Sequence, residues 1–418
     1  MCDKAYEKLP GNMRKDDTVY EKLLESPQKK GAAHEEIAES PRKNDAAYAE
    51  LLESLRKNAE KICVDGLDIE VRNCTDREKG RPDPRSAAAR GLTREDFAER
   101  KEMLHPELWA NETHLLGLKN PEGRSQLELM RAQFGWTSSD RSVGIRTICR
   151  KLSGPKGEFK LYQYEVPSAK KDRPCLIFFH GGGFFAGDIA TVENQCKLLA
   201  QYMEGVVFSV DYPLCPEHPF PEGFEACWRS VKWVYAHAEI LGISRKKIGV
   251  GGDSAGGNLS LVCALRDRDE KSNMISYEAL IYPGANMSED LEHPVYWKEE
   301  AYENPFGDTA IAEEIRSVGK LSSDVAEWYM PDGVKENDPY MNPIEADFSG
   351  LPRTLVMTSE YDFLRMSCEA LSKKLKQAGI ESRHIRYGGI FHGTFDRLGY
   401  APQVEDMLLE IAGDMKEL

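Results

Sequence analysis

The sequence predicts an α/β fold in which helices cover both faces of a mostly parallel sheet. Two observations predict it. Beyond Val143, short apolar runs alternate with helix-like segments, and a strand followed in turn by a helix is the unit from which parallel sheets are built. Glycine clusters also follow two of those runs directly, at Gly181-Gly182-Gly183 and in Gly251-Gly252-Asp253-Ser254-Ala255-Gly256-Gly257, as tight strand-to-helix turns require.

The elements follow in order. Ile145–Arg150 and Phe159–Val166 alternate apolar with polar residues, the pattern of edge strands. Leu176–Phe179, Val206–Val210, Ile248–Val250, Ala279–Tyr282 and Thr354–Thr358 are apolar runs that read as buried strands. Residues 191–203, 223–238, 256–268 and 364–378 are the helices between them, and His384 falls in a further strand. Residues 286–345 break this rhythm with aromatic, acidic and proline residues. An insertion there sits beside the carboxyl ends of the strands, where α/β proteins place ligands. The α/β domain is therefore expected over 141–418.

The N-terminal part has a different grammar. Tyr6-Glu-Lys-Leu9 recurs as Tyr20-Glu-Lys-Leu23-Leu24, His34-Glu-Glu-Ile37-Ala38 and Tyr48-Ala-Glu-Leu51-Leu52, a period of fourteen residues over 1–60. Each copy places apolar residues at i, i+3 and i+4, one helix face, while Pro27 and Pro41 interrupt a continuous helix. Such short amphipathic helices are marginal alone in water and need a surface to dock on. They read as a surface-packed or mobile extension, or as a docking arm that joins copies into a homo-oligomer. Residues 61–92, which contain the Pro-rich Arg81-Pro82-Asp83-Pro84-Arg85, read as a linker. Residues 93–140 read as N-terminal cap helices, starting at Thr93 with Asp96 in a loose capping box.

Composition excludes several classes. Of 418 residues, 41% are hydrophobic, which rules out a wholly disordered chain. A net charge of -15 argues against nucleic acid and anionic membranes as partners. No stretch approaches the roughly 20 apolar residues of a spanning helix, and the charged start lacks a signal-peptide core, so a cytoplasmic location is expected. Ten scattered cysteines without a CxxC pair read as reduced core residues. Neither HExxH nor GxGxxG after a strand occurs, and no metal or other cofactor is expected.

The chemistry lies in two turns. Gly252-Asp253-Ser254-Ala255-Gly256 sits between a strand and an apolar helix, the context of a nucleophile elbow that exposes a serine oxygen at a helix N-terminus. His180-Gly181-Gly182-Gly183 follows Leu176–Phe179, and glycines there let backbone N–H groups approach a developing oxyanion.

With these motifs and Asp211-Tyr-Pro-Leu-Cys-Pro-Glu217-His-Pro-Phe-Pro221, the chain resembles the hormone-sensitive-lipase-like branch of the α/β-hydrolases. Tyr329-Met-Pro-Asp332, Asn342-Pro-Ile-Glu345 and Gly350-Leu-Pro352 extend the likeness, which covers roughly residues 93–416 and leaves the repeats outside. The resemblance implies an α/β-hydrolase fold with a helical cap, and Ser254 as nucleophile. Asp362 then falls at the family's acid and His392 at its base, with Glu360 a close rival for the acid. Gly182, Gly183 and Ala255 are the implied oxyanion hole. His180 and Asp253 read as supports of their loops, and Cys215, Glu217 and His218 as packing rather than a metal site. The family's DPLRDE becomes Asp362-Phe-Leu-Arg-Met-Ser367 here, and its DYRLA becomes Asp211-Tyr-Pro-Leu-Cys215. The implied activity is hydrolysis of short to medium acyl esters, such as acetyl esters of sugars or small alcohols, through an acyl-enzyme. Amide or peptide cleavage on the same scaffold is the alternative, as is a catalytically silent, ligand-binding member of the family.

Overall fold

The computed structural model describes residues 45–75, 77–83, 85, 126–135, 138–154, 157–287 and 337–418, with scattered residues between 295 and 335. The described residues contain one ten-stranded sheet. Its strands are β1 (Glu60–Val64), β2 (Leu67–Arg72), β3 (Arg146–Gly154), β4 (Gly157–Glu165), β5 (Arg173–Phe179), β6 (Val206–Asp211), β7 (Ile243–Asp253), β8 (Tyr277–Ile281), β9 (Arg353–Tyr361) and β10 (Ser382–Phe391). Their spatial order is β1-β2-β10-β9-β8-β7-β5-β6-β4-β3. From β2 through β6 every neighbouring pair is parallel, while β1 on one edge and β4 and β3 on the other run antiparallel.

The apolar runs are explained by burial on both faces. In β5, Cys175, Ile177 and Phe179 join one core, with α4 (Glu222–His237), α5 (Ala255–Asp269) and α6 (Arg365–Gln377). Leu176 and Phe178 join the opposite core, with α3 (Ile189–Met203) and α7 (Pro402–Glu417). The period of two divides β9 the same way, Val356 to the first core and Leu355 and Met357 to the second. Each of the five expected apolar runs forms a strand, β5 to β9, and His384 lies in β10 as predicted.

The N-terminal boundary moves. The segment expected to begin a linker at residue 61 is a β-hairpin that belongs to the main sheet: β1 pairs with β2, and β2 pairs in parallel with β10. The reason is in the residues. Asp65 and Gly66 take positive φ (49° and 82°), the two-residue turn whose twist suits a hairpin, and Leu67 and Ile69 alternate inward on β2. The fourth repeat copy is also a helix, α1 (Asp45–Lys57), and it lies against α7 with Leu55 fully buried. The first three copies lie outside the described residues. Of the expected cap helices over 93–140, the structure describes α2 (Gln126–Gln133), whose Arg131 donates to the Phe185 and Cys215 carbonyls and pairs with Glu217.

Candidate active site

Three strand ends set the positions of three side chains. Asp253 at the end of β7 pairs with Ile281 of β8, Ile281 with Met357 of β9, and Tyr361 at the end of β9 with Phe391 of β10. Ser254, Asp362 and His392 are each the next residue after their strand, so all three emerge along one sheet edge. The structure brings them together in a relay. Ser254 Oγ lies 2.9 Å from His392 Nε2, and His392 Nδ1 lies 2.8 Å from Asp362 Oδ2.

Ser254 sits at φ 54° and ψ -116°, a conformation rarely adopted by residues with a side chain and characteristic of a strained elbow. The fold holds it there. Its N–H donates to Ile281 O, while its carbonyl accepts from Asn258 and Gly284. Gly256 packs so closely under β5 that a Cβ there would overlap the Phe179 carbonyl oxygen. The elbow serine then opens α5, whose N-terminal peptide dipoles face its oxygen.

Asp362 is fully buried. Its Oδ1 accepts from the Leu364 N–H and its backbone carbonyl accepts from Tyr302 Oη, so Oδ2 is left to His392. Burial alone would lower the His392 pKa, but the charge and hydrogen bond of Asp362 outweigh it and hold the imidazole above its ordinary value. The ring is fixed by Tyr282 and Phe363, whose centroids lie 4.9 and 5.2 Å away. Neither contact could be read from spacing, because Tyr282 reaches His392 only through sheet order. The rival acid Glu360 points elsewhere, accepting from the Gly389 N–H at 2.6 Å and pairing with Arg77. The other downstream histidine, His384, is buried between Thr358 and Ser372 and pushed by burial down to about 3.

The glycine loop lies beside this relay. Gly182 takes φ 121°, and its carbonyl accepts from Phe185 and Ala186, folding residues 182–186 into a compact turn. A Cβ on Gly182 would strike the Ala186 carbonyl, so the turn demands glycine. Asp253 Oδ1 accepts from the Gly181 N–H at 2.9 Å, and Tyr212 Oη donates to the His180 carbonyl at 2.7 Å. His180 and Asp253 therefore brace the loop against the elbow, as expected from sequence. Burial pushes the Asp253 carboxyl up to about 6. His218 hydrogen-bonds Glu222, and Glu217 pairs with Arg131. Among the described residues no cluster of three or more His, Cys, Asp or Glu could hold a metal ion, and no helix is long and apolar enough to cross a membrane.

The 286–345 segment reaches back onto this loop. Tyr329 stacks on Phe184 with centroids 3.8 Å apart, and Trp328 meets the Phe185 ring edge-on.

A family described as alpha/beta hydrolase fold matches residues 176–396, which contain Ser254, Asp362, His392 and the glycine loop. The chain belongs to this family. Within it, the chain falls in the hormone-sensitive-lipase-like branch. It is 30% identical to Esterase LipI of Mycobacterium tuberculosis over 262 residues, 62% of this chain and 78% of that protein. It is 32% identical to Carboxylesterase NlhH of the same organism over 235 residues, 55% of this chain and 69% of that protein. Among solved structures it is similar to a hyperthermophilic esterase from the archaeon Pyrobaculum calidifontis, with a TM-score of 0.61 at 27% identity, covering 81% of this chain and 98% of that one. An ester-hydrolase from the metagenome of Lake Arreo, Spain, gives a TM-score of 0.63 at 27% identity, covering 80% of this chain and 98% of that one.

Proposed function

We propose that this α/β-hydrolase is a serine carboxylic-ester hydrolase that works through an acyl-enzyme. The observation that carries the reading is the hydrogen-bonded relay from Ser254 through His392 to Asp362 at the ends of three adjacent strands. The esterase names of its relatives and structural neighbours support it.

His392 Nε2 takes the Ser254 proton as Oγ attacks the ester carbonyl, and the carbonyl oxygen becomes an oxyanion. The N–H groups of Gly182, Gly183 and Ala255 receive that oxyanion, each donor contributing about 2.7–4 kcal/mol to transition-state stabilisation. Asp362 keeps Nδ1 protonated and stabilises the imidazolium that forms. The imidazolium then protonates the departing alcohol. Water, deprotonated by His392, attacks the acyl-enzyme, and the imidazolium returns that proton to Ser254 Oγ as the acid is released.

The aromatic packing of Phe184 and Phe185 against Tyr329 and Trp328 makes one wall beside the glycine loop apolar, which suits a short to medium acyl chain. Residues 93–140 and 286–345 act as the cap over the acyl chain, and the acidic residues of 286–345 suit an uncharged polar alcohol such as an acetylated sugar. Turnover of p-nitrophenyl esters from acetate to laurate, measured beside anilides of equal acyl length, tests the reading. Ester cleavage that peaks at short to medium chains and vanishes in folded Ser254→Ala is expected. A protein inert toward every ester sinks the proposal, and faster cleavage of anilides replaces it with an amidase.

A further inference from the structure

The chain segment after β2 does something at the site that the relay itself does not require. Beyond Arg72 it crosses over the C-terminal part of β10, where the β9–β10 pairing is irregular: Tyr387 pairs with Ser359 and Phe391 with Tyr361, so three residues of β10 lie opposite the single residue Glu360. This bulge immediately precedes His392, and Glu360 precedes Asp362 by two residues.

Arg77 fills the bulge. Its side chain is only 1% exposed, although it comes from an irregular stretch of the N-terminal segment. Its Nη2 pairs with Glu360 Oε2, its Nη1 donates to Asn73 Oδ1, and its Nε donates to the Arg81 carbonyl at 2.8 Å. The Glu360 oxygen that receives Arg77 also accepts from the Gly389 N–H at 2.6 Å. The Gly389 carbonyl in turn accepts from the Asp83 N–H at 2.8 Å. Gly389 takes φ 76°, and a Cβ there would stand 2.6 Å from Arg77 Nε. A Cβ on Gly388 would likewise strike Asn73 Oδ1 and Arg77 Nη1, so both glycines of the bulge leave room for the guanidinium. One buried cation therefore joins the strand that ends in the acid to the strand that ends in the base.

We propose that Arg77 is a positioning residue for the His392–Asp362 pair. It acts through Glu360 and the bulge, and lies outside the 176–396 stretch matched by the family. The inference rests on the serine-hydrolase reading above. A buried charge-assisted network of this kind fixes geometry where small displacements carry a large rate penalty.

The test compares kcat, KM and melting temperature on p-nitrophenyl butyrate for the full chain and for Arg77→Ala, Arg77→Lys and Arg56→Ala. Arg56 is the control because its ion pairs to Asp406 and Glu410 anchor the same N-terminal segment without touching the bulge. In Arg77→Ala, kcat is expected to fall about ten- to a hundredfold with KM within threefold, and Arg77→Lys to recover part of the loss. Arg56→Ala is expected to lower the melting temperature and leave kcat unchanged. If Arg77→Ala does not fold, Glu360→Gln keeps an acceptor for the Gly389 N–H while removing the charge pair, and the same fall in kcat is expected. Wild-type kcat in a folded Arg77→Ala or Glu360→Gln protein overturns the proposal, as does an equal loss of kcat in Arg56→Ala. Fluorophosphonate labelling of the parent separates the two readings. Ser254 labelled with kcat insensitive to Arg77 removes only the positioning role; Ser254 unlabelled in a protein without ester turnover removes both.

Discussion

The triad edge and the N-terminal segment of 45–83 are held in opposite ways. At the triad edge, backbone register does the positioning: β7 ends in register with Met357, β9 and β10 run on together to Tyr361 and Phe391, and each strand hands its next residue to the site. Around the N-terminal segment, side chains reach over long stretches of sequence. Arg56 hydrogen-bonds Asp406 across 350 positions, Arg72 lies buried against Asp406 and Glu410, and Gln403 donates to Asp83. The chemistry is built from local turns, whereas its support comes from remote charge pairs. Damage to the first region should therefore change rate at constant stability, and damage to the second should change stability first, except at Arg77, the one place where that segment reaches the bulge beside the site.

The comparison can be broken most sharply at the nucleophile. Ser254→Ala is expected to lower kcat by on the order of 10⁶-fold with an unchanged melting temperature, measured by ester turnover and calorimetry. Asp362→Asn comes next: the amide cannot stabilise the imidazolium, and a loss on the order of 10⁴-fold is expected. On the other side, Arg72→Met removes the buried cation from the fully buried Asp406, which keeps only Tyr387 Oη and the half-exposed Arg56. It should cost about 3 kcal/mol of stability in denaturant unfolding while kcat stays within twofold. A large fall in kcat there would erase the distinction between the regions.

The smallest effect is a titration. Asp362 raises the His392 pKa, so the protonated, inactive imidazole persists to higher pH. Activity should be lost on acidification with a midpoint above about 6.5, the ordinary histidine value. Proton NMR of the imidazole in Asp362→Asn should show that midpoint moving down, because burial then acts without the opposing charge. His384, buried and near 3, should stay neutral through the same range. A His392 midpoint that ignores Asp362→Asn would contradict the relay.

Much of the edge was legible in the sequence. An elbow glycine must be glycine because a Cβ would meet β5, so the motif and the geometry are one constraint. Spacing separates Asp362 from Glu360 poorly, whereas in three dimensions Asp362 faces His392 and Glu360 is occupied by Gly389 and Arg77. The hairpin carries a signal that its neighbours obscure. Asp65-Gly66 between alternating residues is a strong turn signal, but the polar, proline-rich stretch from Asn73 onward masked it. Arg77 had no signal of its own. One arginine among many acquires a role only when β2 docks on β10 and carries it across the bulge. The packing of Tyr282 and Phe363 on His392 was hidden for the same reason, since sheet order rather than spacing makes those contacts.

Bond-making at Ser254 is tested by mass spectrometry of the full chain after reaction with a fluorophosphonate, with the labelled peptide sequenced. One adduct per chain on Ser254, with ester turnover lost in proportion to labelling, is the predicted result. Full turnover with Ser254 unmodified, or an adduct on a different residue that abolishes turnover, would contradict it.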